Sequence, residues 1–256
     1  MEFNAARLSS QAFRGLLKKT GKLILPTGST EICGLHAPLG TDNLVAEKAL
    51  SRICEITCIP HAPLIPYGDT LELPPGEGTV HIPAGVLEEF YYAAASSFFL
   101  CPELKQLFFI NFHSVNNRAA DSVCRRLRAD GKRAYLIDWW KTVASCSGGI
   151  LNDTRYGTGH GSEMISSVLM AFRPDCVNLS AAENADPKPE FGFYAAHMWN
   201  SGSPFLAYGN FSDYAEQSVW GEVRQASAEK GEKLAAGAIE KICDFIKGPP
   251  GAGTPA

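Results

Sequence analysis

Four side chains that can bind a metal ion fall within twelve residues near the start of the chain. Glu31, Cys33, His36 and Asp42 follow an apolar, strand-like run, Lys22–Leu25, which a proline and a glycine then interrupt. Open α/β sheets place their active sites in loops that directly follow strands. The types and spacing of these residues therefore predict a metal-binding active site.

A second segment carries His113, which follows the apolar run Gln106–Asn111. Such a run is typical of a buried strand. Because parallel strands end at the same edge of a sheet, Glu31, Asp42 and His113 are expected to converge there. Two carboxylates and one imidazole are a normal ligand set for a divalent ion. Simpler roles stay open: Asp42 as a helix N-cap, Glu31 as a solvated loop residue and His113 as a structural histidine.

A third segment, Gly157–Glu163, opens a predicted helix. His160 and Glu163 are three residues apart, so they are expected on one face of the first turn. There, Glu163 could add a metal ligand while His160 transfers protons. The simpler alternative is a helix start with the charge of Glu163 near the positive end of the helix dipole. A weaker fourth segment, Pro66–Asp69, follows another apolar run.

Strand and helix signals alternate along the chain and predict the frame for these loops. The strand candidates are short, apolar and bounded by turn residues; they are Leu23–Pro26, Thr57–Pro66, Gln106–Asn111 and Arg133–Ile137. The helix candidates are Leu44–Cys54, Ala84–Leu100, Asn117–Ala129, Glu163–Phe172 and Glu222–Ile246. This alternation indicates an α/β fold with a mainly parallel sheet and helices on both faces.

No linker divides the sequence, so residues 1–247 are expected to form one domain. Residues 248–256, rich in glycine and proline, are expected to be a disordered tail. Asp69–Pro83 and Asn178–Asp213 show little periodicity. Irregular stretches of this length are often functional covers or assembly contacts.

The composition excludes several classes of partner. The 256 residues are 45% apolar and 20% charged, with a net charge of −4 and no cluster of lysines and arginines. Nucleic acid and membranes are therefore not expected as partners. The sequence shows no membrane-spanning run and no secretory signal, so its eight cysteines are interpreted as reduced thiols of a cytoplasmic protein.

Other catalytic motifs are not found. The sequence has no G-x-S-x-G nucleophile elbow, no G-x-x-x-x-G-K-[ST] phosphate loop and no G-x-G-x-x-G dinucleotide motif. A nucleophilic pair of Cys33 and His36 stays open, although both lie in one tight loop with no evident orienting group.

Four motifs occur in order along the chain. Pro26–Asp42 reads P-T-G-S-T-E-I-C-G-L-H-A-P-L-G-T-D, and Asn111–Asn116 reads N-F-H-S-V-N. His160–Met170 reads H-G-S-E-M-I-S-S-V-L-M, and Trp220–Gly231 reads W-G-E-V-R-Q-A-S-A-E-K-G. Together they resemble the creatininase (creatinine amidohydrolase) family, whose patterns are P-x-G-S-x-E-Q-H-G-x-H-L-P-L-x-T-D, N-G-H-G-G-N, H-A-G-E-x-x-T-S-x-x-L and W/Y-G-x-x-x-x-A-S-x-E-K-G.

The resemblance implies a three-layer αβα sandwich and a homo-oligomer, often a hexamer. It also implies one or two bound divalent ions, most often zinc and in some members manganese or iron. Members of the family hydrolyse C–N bonds in cyclic or compact amides. A small-molecule substrate is therefore implied for this chain.

The resemblance also assigns roles by position. Glu31, Asp42 and His113 match one metal site, with Asp42 as the bridge to a second. Glu163 matches a ligand of the second site, and His160 matches the histidine that transfers protons. The residues predicted to bind substrate are Trp140, Asn116 and Tyr67.

Several positions depart from the family pattern. Cys33 replaces a histidine of the second metal site, and either Cys33 or His36 could take its place as a ligand. Larger residues replace the glycines around His113; they are Phe112, Ser114 and Val115. These changes narrow the space for a substrate, so we expect a divergent member whose substrate is not creatinine. Three functions stay open: an amidohydrolase, which we favour, a hydrolase of lactones or cyclic ketones on the same metal, and a non-catalytic binding protein.

Overall fold

Three parallel strands lie in the order β1 (Lys22–Thr27), β2 (Gln106–Asn111) and β3 (Ala134–Asp138). They belong to a computed structural model that describes residues 1–71, 73–74, 76–182 and 215–248. The sequence predicts these three strands to within one residue at each end. Because the strands are parallel and in register, the residues that follow β1 and β2 lie side by side at one edge of the sheet.

Seven α-helices of the described residues surround this sheet. They are α1 (Ser10–Thr20), α2 (Thr41–Thr57), α3 (Ala84–Phe98), α4 (Asn117–Ala129), α5 (Trp139–Ala144), α6 (Glu163–Phe172) and α7 (Ala228–Lys247). The bounds of α4 and α6 are those predicted. Helices α1 and α5 were not predicted, although each has a clear N-cap: Ser9 for α1 and Asp138 for α5.

Side chains alternate between the two faces of the sheet and form two separate cores. Phe108 and Ile110 pack on one face with residues of α2, α5, α6 and α7. Leu107 and Phe109 pack on the opposite face with residues of α3 and α4. This arrangement is the predicted three-layer αβα sandwich around a parallel sheet.

The predicted strand over Thr57–Pro66 is wrong. Helix α2 continues through Thr57, and the chain then runs beside β1 with only isolated bridges, at His61 and Ile65. Every third residue from 60 to 66 is proline. Proline has no N–H to donate, so this segment cannot form a continuous ladder with β1.

Two helix starts also differ from the prediction. Helix α2 begins earlier than expected, so Asp42 lies inside its first turn and is not its N-cap. Helix α7 begins later than the predicted Glu222, because the Ser227 hydroxyl accepts a hydrogen bond from the Lys230 amide and caps the helix there.

The irregular segment 69–83 packs against the loop that follows β1. The amide of Val80 donates to the carbonyl of Thr30, and the amide of Ile32 donates to the hydroxyl of Thr79. The second irregular segment, Asn178–Asp213, lies outside the described residues from position 183 onward, as does the predicted tail after Gly248. In the described part of the chain, no helix has both the length and the apolar character needed to cross a bilayer.

Helices α6 and α7 approach each other closely at Gly231. A Cβ atom at this position would lie 1.8 Å from the backbone oxygen of Ser167 in α6. The amide of Ser227 donates to the Ser167 hydroxyl at 3.1 Å. The backbone atoms of α6 leave no room to adjust, so only glycine fits here.

We predict that Gly231→Ala lowers the free energy of unfolding by about 1–3 kcal/mol through overpacking. Gly15→Ala in α1 is the matched control, because a Cβ atom there meets nothing within 4 Å. The control should raise stability by up to about 1 kcal/mol through helix propensity. Urea unfolding of both variants measures the two changes. Equal stability of Gly231→Ala and the wild type would contradict the close contact.

Candidate metal centre

Three buried ligand-type side chains meet at the edge of the sheet where β1 and β2 end. Glu31 lies in the loop after β1, Asp42 in the first turn of α2, and His113 directly after β2. Their exposed fractions are 5%, 7% and 6%. One ligand atom from each lies within 4.8 Å of the other two. These residues are the ones that the sequence analysis places at a first metal site.

The facing atoms are two carboxylate oxygens and one imidazole nitrogen. His113 Nδ1 lies 3.1 Å from Glu31 Oε2 and 3.3 Å from Asp42 Oδ2. Glu31 Oε2 is buried, and none of the described residues makes a well-aligned hydrogen bond to it, although His113 Nδ1 lies 3.1 Å away. A buried carboxylate oxygen without a well-aligned donor is costly, and a divalent ion would supply the missing partner. The residues present therefore fit a divalent metal ion of the zinc or manganese type.

Asp42 is held by two donors on opposite oxygens. The Ser29 hydroxyl donates to Oδ2 at 2.8 Å, and the Trp140 indole N–H donates to Oδ1 at 2.9 Å. Trp140, predicted to bind substrate, is 2% exposed, and its indole donates to this ligand-type carboxylate. Asp42 is therefore oriented toward the cluster from both sides.

His160 joins the cluster through Glu31. Its Nε2 lies 3.0 Å from Glu31 Oε1, and its Nδ1 lies 2.6 Å from the backbone oxygen of Ser218. A carbonyl oxygen only accepts hydrogen bonds, so Nδ1 carries a proton and donates it to Ser218. Nε2 is therefore the nitrogen that faces the acidic cluster.

The charges of the cluster stabilise one another. Burial alone would raise the pKa of the Glu31 carboxyl, but His113 and His160 lower it well below its usual range. Burial raises the pKa of Asp42, and the charge of Glu31 adds to the effect. Burial alone would lower the pKa of both imidazoles, yet the two carboxylates raise that of His113 well above its ordinary value, and Glu31 raises that of His160.

Cys33 and His36 lie close to the cluster but outside the ligand group. Cys33 is 4% exposed, and burial and the charges of Asp42 and Glu31 raise the pKa of its thiol. His36 Nε2 lies 2.8 Å from the hydroxyl of Ser166, and burial lowers the pKa of His36 to about 4. A neutral thiol and an imidazole bonded to Ser166 are not arranged as metal ligands in this structure.

The structure does not bring Glu163 to the cluster. Its carboxylate is fully buried, accepts hydrogen bonds from the backbone amides of Asn152 and Asp153, and pairs with Lys230 in α7. His160 precedes the helix, whereas Glu163 is its first residue, so the two do not share a helix face as expected. The proposed second-site role of Glu163 rests on the resemblance alone.

The other two residues predicted to bind substrate occupy different surroundings. Asn116 is fully buried; its Oδ1 accepts from the amide of Asp69 and its Nδ2 donates to the carbonyl of Gly28. Tyr67 is 46% exposed and lies in an apolar surface cleft with Ile82 and Phe90. Among the described residues, neither side chain makes a hydrogen bond to the acidic cluster.

Several supporting residues were missed at the sequence level. Ser29 and Lys230 lie within motifs noted above, but nothing in their spacing says which carboxylate each one contacts. Ser218 and Asp69 act through backbone carbonyls, which carry no side-chain signature.

Comparisons with known proteins place the chain in a family. The family profile described as creatinine amidohydrolase (Creatininase) matches residues 6–246. A "mycofactocin precursor peptide peptidase" from Mycolicibacterium smegmatis is 27% identical over 251 residues, which cover 94% of this chain and 90% of the relative. A protein of the same name from Mycobacterium ulcerans is 27% identical over 246 residues, covering 90% and 87% of the two chains.

Solved structures show the same fold. A creatininase variant described as the Zn-Zn type superposes with a TM-score of 0.80 at 18% identity, covering 96% of this chain and 98% of that one. A structure described as creatininase Mn gives 0.77 at 19% identity with the same coverage. The family profile spans nearly the whole chain, and this protein belongs to the creatininase (creatinine amidohydrolase) family.

Proposed function

We propose that this protein is a metal-dependent hydrolase that cleaves the C–N bond of a small, cyclic or compact amide. The main support is the buried group of Glu31, Asp42 and His113, in which a carboxylate oxygen has no well-aligned hydrogen bond from the described residues. Such a group is costly without a cation and is the usual ligand set of a hydrolytic metal.

One divalent ion, zinc first and manganese or iron as alternatives, would be held by Glu31, Asp42 and His113. When bound, the ion supplies Lewis-acid activation of water and of the substrate carbonyl. We propose a single ion because the candidate ligands for a second are engaged elsewhere. Glu163 is paired with Lys230, and His36 is bonded to Ser166.

His160 is proposed to move the proton. Its Nδ1 donates to the Ser218 carbonyl, which fixes the ring and directs Nε2 toward the cluster. The charge of Glu31 raises the pKa of His160, so the imidazole can hold a proton near neutral pH and donate it to a leaving nitrogen. Glu31 thus contacts both the metal site and the proton donor.

The choice of an amide follows from the relatives. The mycobacterial relatives are named as peptidases of a precursor peptide, and one creatininase structure is described as a complex with creatine. Phe112 and Val115 stand where the family pattern has glycine, and Phe112 is fully buried. A different substrate from creatinine is therefore proposed. The homo-oligomer and the cytoplasmic location stay predictions, which light scattering and cell fractionation test.

We predict that the purified protein binds one zinc ion per chain and that His113→Ala weakens binding at least ten-fold, because the imidazole ligand is lost. His61→Ala is the matched control, since among the described residues the His61 imidazole hydrogen-bonds to the neighbouring carbonyl of Ala62 and to no group of the acidic cluster. Native mass spectrometry gives the stoichiometry and chelator competition gives Kd. Equal, near-zero metal in wild type and His113→Ala would refute the metal site, and two ions per chain would refute the single-ion proposal.

We predict that zinc affinity rises with pH. In the metal-free protein the two carboxylates raise the pKa of His113 well above its ordinary value, so Nδ1 is protonated at neutral pH. An incoming ion must displace this proton. The apparent affinity should therefore rise about ten-fold per pH unit below the raised pKa and level off above it. Calorimetric titration over roughly pH 6 to 8, in buffers of different ionisation enthalpy, measures the affinity and the protons released. No proton release would contradict the protonated state of His113.

We predict that His160→Gln lowers kcat about 10²- to 10⁴-fold while zinc remains bound. The test uses a panel of cyclic amides, N-formyl amines, short peptides, lactones and cyclic ketones. His61→Gln serves as the control and should keep wild-type kcat. Cleavage of lactones or ketones without any amide would favour the second hypothesis. Bound zinc with no turnover on the whole panel would favour a binding protein.

A further inference from the structure

The backbone of Asp69 is the partner of the candidate metal ligand His113. His113 Nε2 lies 2.8 Å from the Asp69 carbonyl oxygen, and both groups are buried. We propose that Asp69, held in place by Asn116 and Arg118, is a positioning residue that sets the tautomer and orientation of His113 for metal binding. The proposal rests on the metal site proposed above.

The tautomer follows from the chemistry of the partner. A carbonyl oxygen has no proton to give, so His113 must keep its proton on Nε2 and donate it to Asp69. In the neutral ring that binds a metal ion, the lone pair is then left on Nδ1, the nitrogen that faces Glu31 and Asp42. If the Asp69 carbonyl moved away, the neutral ring could carry its proton on Nδ1. Its lone pair would then be on Nε2, which faces away from the ion.

The Asp69 peptide is fixed from the backbone side by Asn116. The Asn116 side chain accepts the amide proton of Asp69 at 2.9 Å and donates to the Gly28 carbonyl at 3.0 Å. At the preceding residue, Gly68, a Cβ atom would lie 2.7 Å from Asn116 Oδ1 and 2.9 Å from the Gly28 oxygen. The turn is therefore packed too tightly for a side chain, which limits movement of the carbonyl.

Arg118 and His81 hold the side chain of Asp69. Its carboxylate is 4% exposed and accepts a 2.7 Å hydrogen bond from Arg118 Nη2. His81 Nδ1 lies 3.5 Å from the second carboxylate oxygen. A buried carboxylate needs such a cation, and losing it would leave a charge that draws Asp69 toward water.

Three of the residues that contact Asp69 come from one short stretch of chain. His113, Asn116 and Arg118 lie between the end of β2 and the first turn of α4. This stretch therefore supplies the candidate metal ligand His113. It also supplies Asn116, which accepts from the Asp69 amide, and Arg118, which pairs with the Asp69 carboxylate. This pattern distinguishes the cluster from an isolated surface ion pair, because every member contacts the same buried residue.

The test compares zinc binding in Arg118→Gln, Asp69→Asn and the control Arg125→Gln. Arg125 also lies in α4 and makes a 2.7 Å ion pair with Asp121. Both side chains of this pair are more exposed than those of Arg118 and Asp69. Loss of a supporting partner of a metal ligand typically costs about 10- to 100-fold in affinity. We expect about ten-fold weaker zinc binding for Arg118→Gln and for Asp69→Asn, with Arg125→Gln within about two-fold of wild type.

Two measurements separate the possible results. Kd for zinc comes from chelator competition, and Tm comes from thermal unfolding of the metal-free proteins. A purely structural role would lower Tm and leave Kd at the wild-type value, which would overturn the proposal. If the wild type itself binds no zinc, the proposed metal site fails first. If the wild type binds zinc and both variants match it, only the role of Asp69 is refuted.

Discussion

The buried negative charge of Glu31 governs the arrangement of the whole site. Burial in a low-dielectric interior disfavours an ionised carboxylate, and Asp42 lies close enough to add repulsion. Two imidazoles compensate, His113 near one oxygen of Glu31 and His160 near the other. The two histidines come from distant parts of the chain, so three loops must be held in register for the charge to be tolerated. The parallel sheet places the loops of Glu31 and His113 side by side, whereas His160 lies in the loop that leads into α6.

Backbone carbonyls fix the orientation of the two imidazole rings. Each imidazole is bonded on its far nitrogen to a carbonyl, that of Asp69 for His113 and that of Ser218 for His160. The Asp69 carbonyl lies in an irregular segment, and the Ser218 carbonyl lies at the end of a short 3-10 turn, Glu216–Ser218. These two segments determine which nitrogen of each ring faces the acidic group.

The sequence is sufficient to predict the sheet and the three clustered residues, because buried parallel strands have a strong apolar signature and polar residues after them share one edge. It is not sufficient for Glu163, which lies at the predicted helix start but is bound by Lys230, 67 residues later in the chain. Trp140 lies beside the acidic cluster, but its position in the sequence does not show that its indole donates to Asp42. Such pairings depend on tertiary distances, which local periodicity does not encode. The predicted strand at Thr57–Pro66 does not form because its regularly spaced prolines cannot donate hydrogen bonds. A prediction based on apolar content alone does not take this into account.

The pairing of Glu163 with Lys230 also bears on the order in which the protein can mature during translation. Glu163 gathers the amides of Asn152 and Asp153, at the start of the loop that leads to His160. A nascent chain exposes this carboxylate at the ribosome well before α7 has been synthesised. Until α7 docks, Glu163 lacks its counter-charge, and the fully buried position that it occupies in the finished protein is unfavourable. The loop that leads to His160 therefore reaches its final arrangement only when α7, the last helix of the described residues, packs against it.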